Sequence, residues 1–120
     1  MPVLTTEQLL SRQCRPLEGQ GALSAGEVAA QLKVLPEWQH RDGAIVRSFR
    51  FADYYQTIAF VNALAFMVHR EDHHPDLLVS YNRCEVRFNT HSVNGITEND
   101  FICAAKAEAI FAQRYGIAEA

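Results

Sequence analysis

Twice in this chain a turn signal separates two alternating runs, and each of these hairpin patterns is followed by a long helical pattern. That arrangement constrains the fold more than anything else in the sequence. The first hairpin places Trp38 in a short strand, turns at Asp42-Gly43, and returns along Ala44 to Phe51. Asp-Gly favours a type I′ turn, the turn whose twist matches paired strands. The second runs Leu77 to Tyr81, turns at Asn82-Arg83, and returns along Cys84 to Thr90. Along that last run Cys84, Val86, Phe88 and Thr90 point one way, and Glu85, Arg87 and Asn89 the other. Hairpins join antiparallel strands, whereas parallel strands need a crossover between them. The expected fold class is therefore α+β: a four-stranded antiparallel sheet with helices packed on one face.

The helices follow from their start and stop signals. Asp53 reads as the N-cap of a helix from about Tyr54 to Arg70, with Tyr54, Ile58, Val61, Ala65 and Val68 on one stripe. Thr97 opens the last helix, with Asp100 reaching back from its third position, a buried stripe including Ile102, Ala105 and Ala109, and Gly116 as its end. Ser24 and Glu27 form a capping box for a short helix ended by Pro36, and Thr6–Gln13 is a further short helix. The 120 residues suit one domain, with 1–23 as an N-terminal extension and 24–116 as the core unit.

Composition narrows the class of partner. A formal charge of −3 without a lysine or arginine cluster argues against nucleic acid. The longest apolar stretch, Ile58 to Val68, is broken by Asn62 and falls short of the ~20 residues that span a bilayer. No basic-then-apolar leader is visible, so a cytoplasmic protein is expected. Cys14, Cys84 and Cys103 are widely spaced and odd in number, which reads as three reduced, packed thiols.

Chemistry concentrates in His73-His74-Pro75 and in His91, one strand and a turn downstream. Neutral imidazole exchanges protons near pH 7, having an ordinary pKa of roughly 6.5. If Leu77–Tyr81 pairs with Cys84–Thr90, the start of one strand lies beside the end of the other, and His91 returns to His73–Pro75. As neighbours in extended chain, His73 and His74 point to different sides, so one faces the pocket and the other lines its edge. Histidines of this kind also cap helices or bond backbone, but three at one hairpin mouth favour a proton-transfer site. His69 and His73 stand at i and i+4, a spacing used for zinc, yet His73 falls past the last helical turn and no third ligand is assured, so no metal is expected. Trp38 and Phe51 are candidates to stack on a flat heterocycle, although a lone tryptophan in a small domain is more often core. Arg47 and Arg87 are candidates to meet an anionic group, although exposed sheet arginines are usually just solvated. Asp100 is explained as a helix-start residue and is also placed to orient a histidine.

Taken together, His73-His74-Pro75, Tyr81 six residues after the proline, His91 ten further on and Asp100 nine after that resemble the signature of the pterin-4a-carbinolamine dehydratases. Trp38 and the helix Asp53–Arg70 also match, so the resemblance spans about Leu35 to Tyr115; Met1 to Leu23 lies outside it. Ala65 to Pro75 looks closest to bacterial members that accompany phenylalanine hydroxylase. The resemblance implies a dimer or dimer of dimers and dehydration of 4a-hydroxytetrahydropterin to quinonoid dihydropterin, without metal or organic cofactor. It implies acid–base roles for His73 and His91 and a pterin-positioning role for His74, with Pro75, Trp38, Asp100 and Glu71 around the substrate. This chain departs from the pattern at His69, where many members carry an acidic residue; Glu71 or Asp72 stands nearby. The alternative reading is a regulatory module acting on a hydroxylase or a transcription factor.

Overall fold

The computed structural model describes residues 2–17 and 19–113. Both hairpins form, the first at Asp42-Gly43 as read. The second turns at Tyr81-Asn82, one residue earlier than expected, so that Ser80 pairs with Arg83 and Val79 with Cys84. Strand β1 (Gln39–Arg41) pairs with β2 (Ala44–Arg50) through a turn in which Asp42 and Gly43 both have positive φ, 52° and 74°. This is the type I′ geometry that favours glycine at the second position. Strand β3 (Asp76–Ser80) pairs with β4 (Arg83–Phe88), and β2 pairs with β4. The sheet is antiparallel throughout, in the order β1-β2-β4-β3.

Register decides which side chains face the helices. Ile45, Arg47 and Phe49 of β2 lie opposite Phe88, Val86 and Cys84 of β4, and Leu77 and Val79 continue that face on β3. Ile45, Phe49, Cys84, Val86 and Phe88 are completely buried. The opposite face carries Ser48, Arg50, Arg83, Glu85 and Arg87, with Arg41 bonded across to Glu85 at 2.8 Å.

Helix α3 (Tyr54–Glu71) starts at Asp53, whose carboxylate accepts the Gln56 N–H at 2.9 Å. Its buried side is Thr57, Phe60, Leu64 and Val68. The expected stripe is thus rotated by about one position: Tyr54 and Ala65 are exposed, and Ile58 and Val61 are half-buried. Apolar residues occur in more than one helical phase here. Ring packing selects the phase, setting Phe60 against Phe49 and Phe51 at centroid distances of 4.6 and 5.3 Å.

Helix α4 (Glu98–Gln113) is buried on nearly all sides from Asn99 to Ala105, as expected of a helix enclosed by other elements. Ala109, placed in its buried stripe by periodicity, is half-buried, and Gly116 lies outside the described residues. Two short helices, α1 (Thr6–Ser11) and α2 (Ala25–Leu32), carry capping boxes at Thr5/Gln8 and Ser24/Glu27. Helix α1 ends two residues before the expected Gln13, and residues 12–17 continue as a strap without regular secondary structure, extended at Arg12. The N-terminal residues enter the common core through Leu4 and Leu9, and Gln31 bonds both the N–H and the carbonyl of Leu4 at 2.8 Å.

Trp38 lies just before β1, not within it, and is 3% exposed. Arg47, read from sequence as a solvated or anion-binding arginine, is instead drawn inward. Its guanidinium pairs with Glu108 of α4 and lies 4.1 Å above the Phe49 ring. A charge on this face is tolerable because it is paired and hydrogen-bonded.

Candidate active site

The site begins where α3 stops. Asp72 takes a left-handed conformation (φ 53°, ψ 43°), and the N–H groups of Asp72 and His73 return to carbonyls of the last helical turn. Such a C-terminal bend satisfies orphan carbonyls and reverses the chain. His73 therefore leaves the helix directed at the sheet, and Pro75 leads into β3. Because Asp76 pairs with Arg87, residues 73–75 lie beside the end of β4.

Strand β4 ends at Phe88, earlier than the expected Thr90. Thr90 and Gly95 form an isolated bridge, and His91–Val93 make one 3-10 turn. His91 consequently projects from a turn rather than from the polar side of a strand. Gly95 is required by close approach, since a Cβ there would lie 2.5 Å from that of Ala22. His73, His74, Pro75 and His91 line one cleft of about 280 Å³, with Asn89 and Thr90 between them.

The three imidazoles sit differently. His74 and His91 are exposed. The His73 side chain is 11% exposed and stacks on Phe88, with ring planes 10° apart and centroids at 6.1 Å. Its Nε2 lies 2.5 Å from Oδ1 of Asp100, a residue with no solvent exposure. The other carboxylate oxygen accepts the Thr97 N–H at 2.9 Å and the Thr90 hydroxyl at 2.8 Å. Since Thr90 gives its only hydroxyl proton to Asp100, the 2.7 Å contact between the two threonine hydroxyls is donated by Thr97. Asp100 is thus both the helix-start residue and the group that orients His73.

Glu71 stands behind this dyad, in a recess of about 270 Å³ that His73, Asp72 and Thr90 also line. Its carboxylate accepts from the Lys106 ammonium at 2.6 Å and from the Cys14 N–H at 2.8 Å. Burial pushes its pKa up, but these two donors together outweigh burial and hold it below its ordinary value of 4.5.

Of the residues expected around a substrate, Pro75 lines the cleft and Asp100 acts from behind His73. Glu71 is engaged by Lys106 and Cys14. Trp38 is in the core, its indole N–H donating to Glu108 at 2.9 Å, and is not part of the cleft wall. Among the described residues, no group of three or more His, Cys, Asp or Glu side chains is arranged to hold a metal ion. His69 is exposed on α3, while His73 has turned away past the helix end. Sequence reasoning did not single out Thr90 and Thr97 for the site, nor Phe88 as the ring beneath His73. The inward register of Phe88 and Thr90 was the available signal.

Comparison with known proteins places this geometry in a family. Residues 21–110 match the family model for pterin 4 alpha carbinolamine dehydratase. A provisionally named pterin-4-alpha-carbinolamine dehydratase of Nitrosospira multiformis is 47% identical over 108 residues, covering 89% of this chain and 96% of the relative. A protein of the same provisional name from Bdellovibrio bacteriovorus is 50% identical over 117 residues, covering 94% and 96%. The crystal structure of a transcriptional coactivator/pterin dehydratase from Brucella melitensis aligns with TM-score 0.72 and 39% identity, over 75% of this chain and 98% of that one. A pterin dehydratase-like RuBisCO assembly factor of the alpha-carboxysome, 23% identical with TM-score 0.52, shares the fold. On the extent and identity of these matches, the chain belongs to the pterin 4 alpha carbinolamine dehydratase family.

Proposed function

We propose that this protein dehydrates a 4a-hydroxytetrahydropterin to the quinonoid dihydropterin, using His73, His74 and His91 for proton transfer and substrate placement. The observation that carries the reading is the meeting of all three histidines at one cleft, one of them anchored on a buried carboxylate. Loss of water from the carbinolamine breaks the C4a–O bond. One proton goes to the departing hydroxyl and one leaves the ring nitrogen beside C4a, so the products are the quinonoid ring and water. Each proton transfer by a positioned group is typically worth 10²–10⁴-fold.

With Asp100 as a carboxylate accepting from Nε2–H of His73, the neutral ring carries its acceptor at Nδ1. His73 then suits the proton-accepting role in this scheme, and the exposed His91 the delivery of a proton to the leaving oxygen. His74, at the rim, holds the pterin against Pro75. No metal or organic cofactor enters this scheme.

The same reading places the protein in the cytoplasm, as a homodimer or dimer of dimers returning the pterin cofactor to an aromatic amino acid hydroxylase such as phenylalanine hydroxylase. Self-association is supported by edge strand β3, where Leu77, Leu78 and Val79 are all exposed and the strand's outer edge has no partner among the described residues. No described helix is long and apolar enough to cross a membrane.

Stopped-flow decay of a freshly generated 4a-hydroxytetrahydropterin tests the activity. The protein should accelerate the decay, and His91→Ala should abolish most of the acceleration. A decay rate unchanged by the protein would refute the proposal.

A further inference from the structure

Cys14 and Cys103 are separated by 89 positions in sequence, yet their Sγ atoms lie 3.5 Å apart. Cys14 belongs to the strap of residues 12–17 and Cys103 to α4, three residues beyond Asp100. Neither sulfur is needed to hold the other in place. The Cys14 N–H is bonded to Glu71, and the strap is tied to α4 by Arg15 N–H to Asn99 Oδ1 at 3.3 Å and Asn99 Nδ2 to the Arg15 carbonyl at 2.8 Å. The strap thus delivers one thiol to the other through independent contacts.

Access is unequal, in the manner that a two-step oxidation needs. Cys14 is half-buried and lines the recess beside Glu71 and His73, which is large enough for a small oxidant. Cys103 has no solvent exposure. Its thiol is pushed above the ordinary range by the contact with Cys14 and by burial, so it is a poor first nucleophile. Cys84, sealed on the helix face of β4 with its thiol pushed up to about 11 by burial, serves as an internal control.

We propose that Cys14 and Cys103 form a reversible disulfide under hydrogen peroxide, fastening the N-terminal strap to α4 behind the histidine cleft. In the first step the Cys14 thiolate attacks a peroxide oxygen and the O–O bond breaks, giving the sulfenic acid and, after protonation, water. In the second, the Cys103 sulfur attacks the Cys14 sulfur as its proton is lost, the S–O bond breaks and a second water leaves. Two thiols and one peroxide become one disulfide and two waters, and an external dithiol reverses the change. The sulfurs must close from 3.5 Å to about 2.05 Å, a movement that the strap can supply more readily than α4. Closing so long a loop restricts the unfolded chain, and the oxidised form should unfold roughly 5–15 °C higher.

The test treats the full-length protein with stoichiometric hydrogen peroxide and follows intact mass, peptide map and thermal unfolding. The expected product is a monomer lighter by about 2 Da, with Cys14 linked to Cys103, a raised midpoint, and full reversal by dithiothreitol. Cys84→Ala should respond in the same way, and Cys14→Ser, at a half-buried position, should fold but lose the mass change and the stabilisation. Gain of about 32 Da at Cys14 without a link would overturn the proposal. So would dimers linked through Cys14, a link to Cys84, or a linked form that melts no higher than the reduced one.

Discussion

His73 Nε2 sits 2.5 Å from Oδ1 of Asp100, and that carboxylate has no contact with solvent. A buried carboxylate is tolerable only when its lone pairs are used. Here one oxygen serves the histidine and the other serves Thr97 and Thr90. The arrangement ties the start of α4 to the end of α3 and fixes the His73 ring in the same set of bonds.

Replacing Asp100 with asparagine keeps the shape and removes the charge. The amide can present its NH2 group to His73 and leave the ring turned or in the other tautomer. On the proposed mechanism the lost interaction acts on proton transfer, so we expect kcat to fall about 10²-fold, with KM changed by less than about threefold. Steady-state dehydration at several pH values checks this, and a loss confined to KM would assign Asp100 to substrate binding.

The three histidines should separate by their burial. His74→Ala and His91→Ala remove exposed side chains and should change stability by less than about 0.5 kcal/mol; His91→Ala should lower activity at least about 10²-fold, and His74→Ala should act mainly on KM. His73→Ala strands the Asp100 carboxylate in the core and should cost about 3 kcal/mol. His73→Gln, which can still donate to Asp100, should recover part of that stability without the activity. Urea unfolding beside stopped-flow rates distinguishes the two effects.

Glu71 should make the protein acid-sensitive. Its folded pKa lies below its ordinary value of 4.5, so the carboxylate contributes stability above that pH and loses it as pH falls through the folded value. Glu71→Gln should therefore lower stability at pH 7 by about 1–2 kcal/mol and flatten the decline below pH ~4.5. Unfolding curves between pH 3 and 7 are the measurement; parallel curves for the two proteins would show that Lys106 and Cys14 do not set this dependence.

Glu108 accepts from the Trp38 indole and from Arg47, both held against the helix side of the sheet. Glu108→Ala leaves the Arg47 guanidinium, whose side chain is 15% exposed, without its carboxylate. A loss of about 2–4 kcal/mol is expected. Glu108→Gln should lose less, since the amide oxygen still accepts. Indole fluorescence should report the change, because Trp38 is the single tryptophan of the chain.

The capping signals at Ser24 and Asp53 and the Asp42-Gly43 turn were legible because each is settled by atoms within a few residues. So was the pairing of the second hairpin's strands, which brings His91 back to His73–Pro75, since alternation sets the inward face; its turn lies at Tyr81-Asn82, one residue before the position read. The helix phase of α3 was not legible. Several faces of that helix are apolar, and only the positions of Phe49 and Phe51 select Phe60 and Leu64 as the buried side. Arg47 was misplaced, and the choice between core and stacking roles for Trp38 stayed open, for a related reason: their environment depends on Glu108, about sixty and seventy positions away in α4.

By itself the sequence determined the local elements, the two antiparallel hairpins and the convergence of His73, His74 and His91, all consequences of short-range backbone preference and side-chain alternation. Joining the hairpins through β2 and β4 is a longer-range step. Tertiary structure alone decided which imidazole is anchored and which are free. It placed Asp100 behind His73, turned His91 out of the strand, and set Cys14 on Cys103. Those relations join segments up to 89 residues apart, and their partners are chosen by what a closed core must satisfy, namely each buried charge and each buried donor.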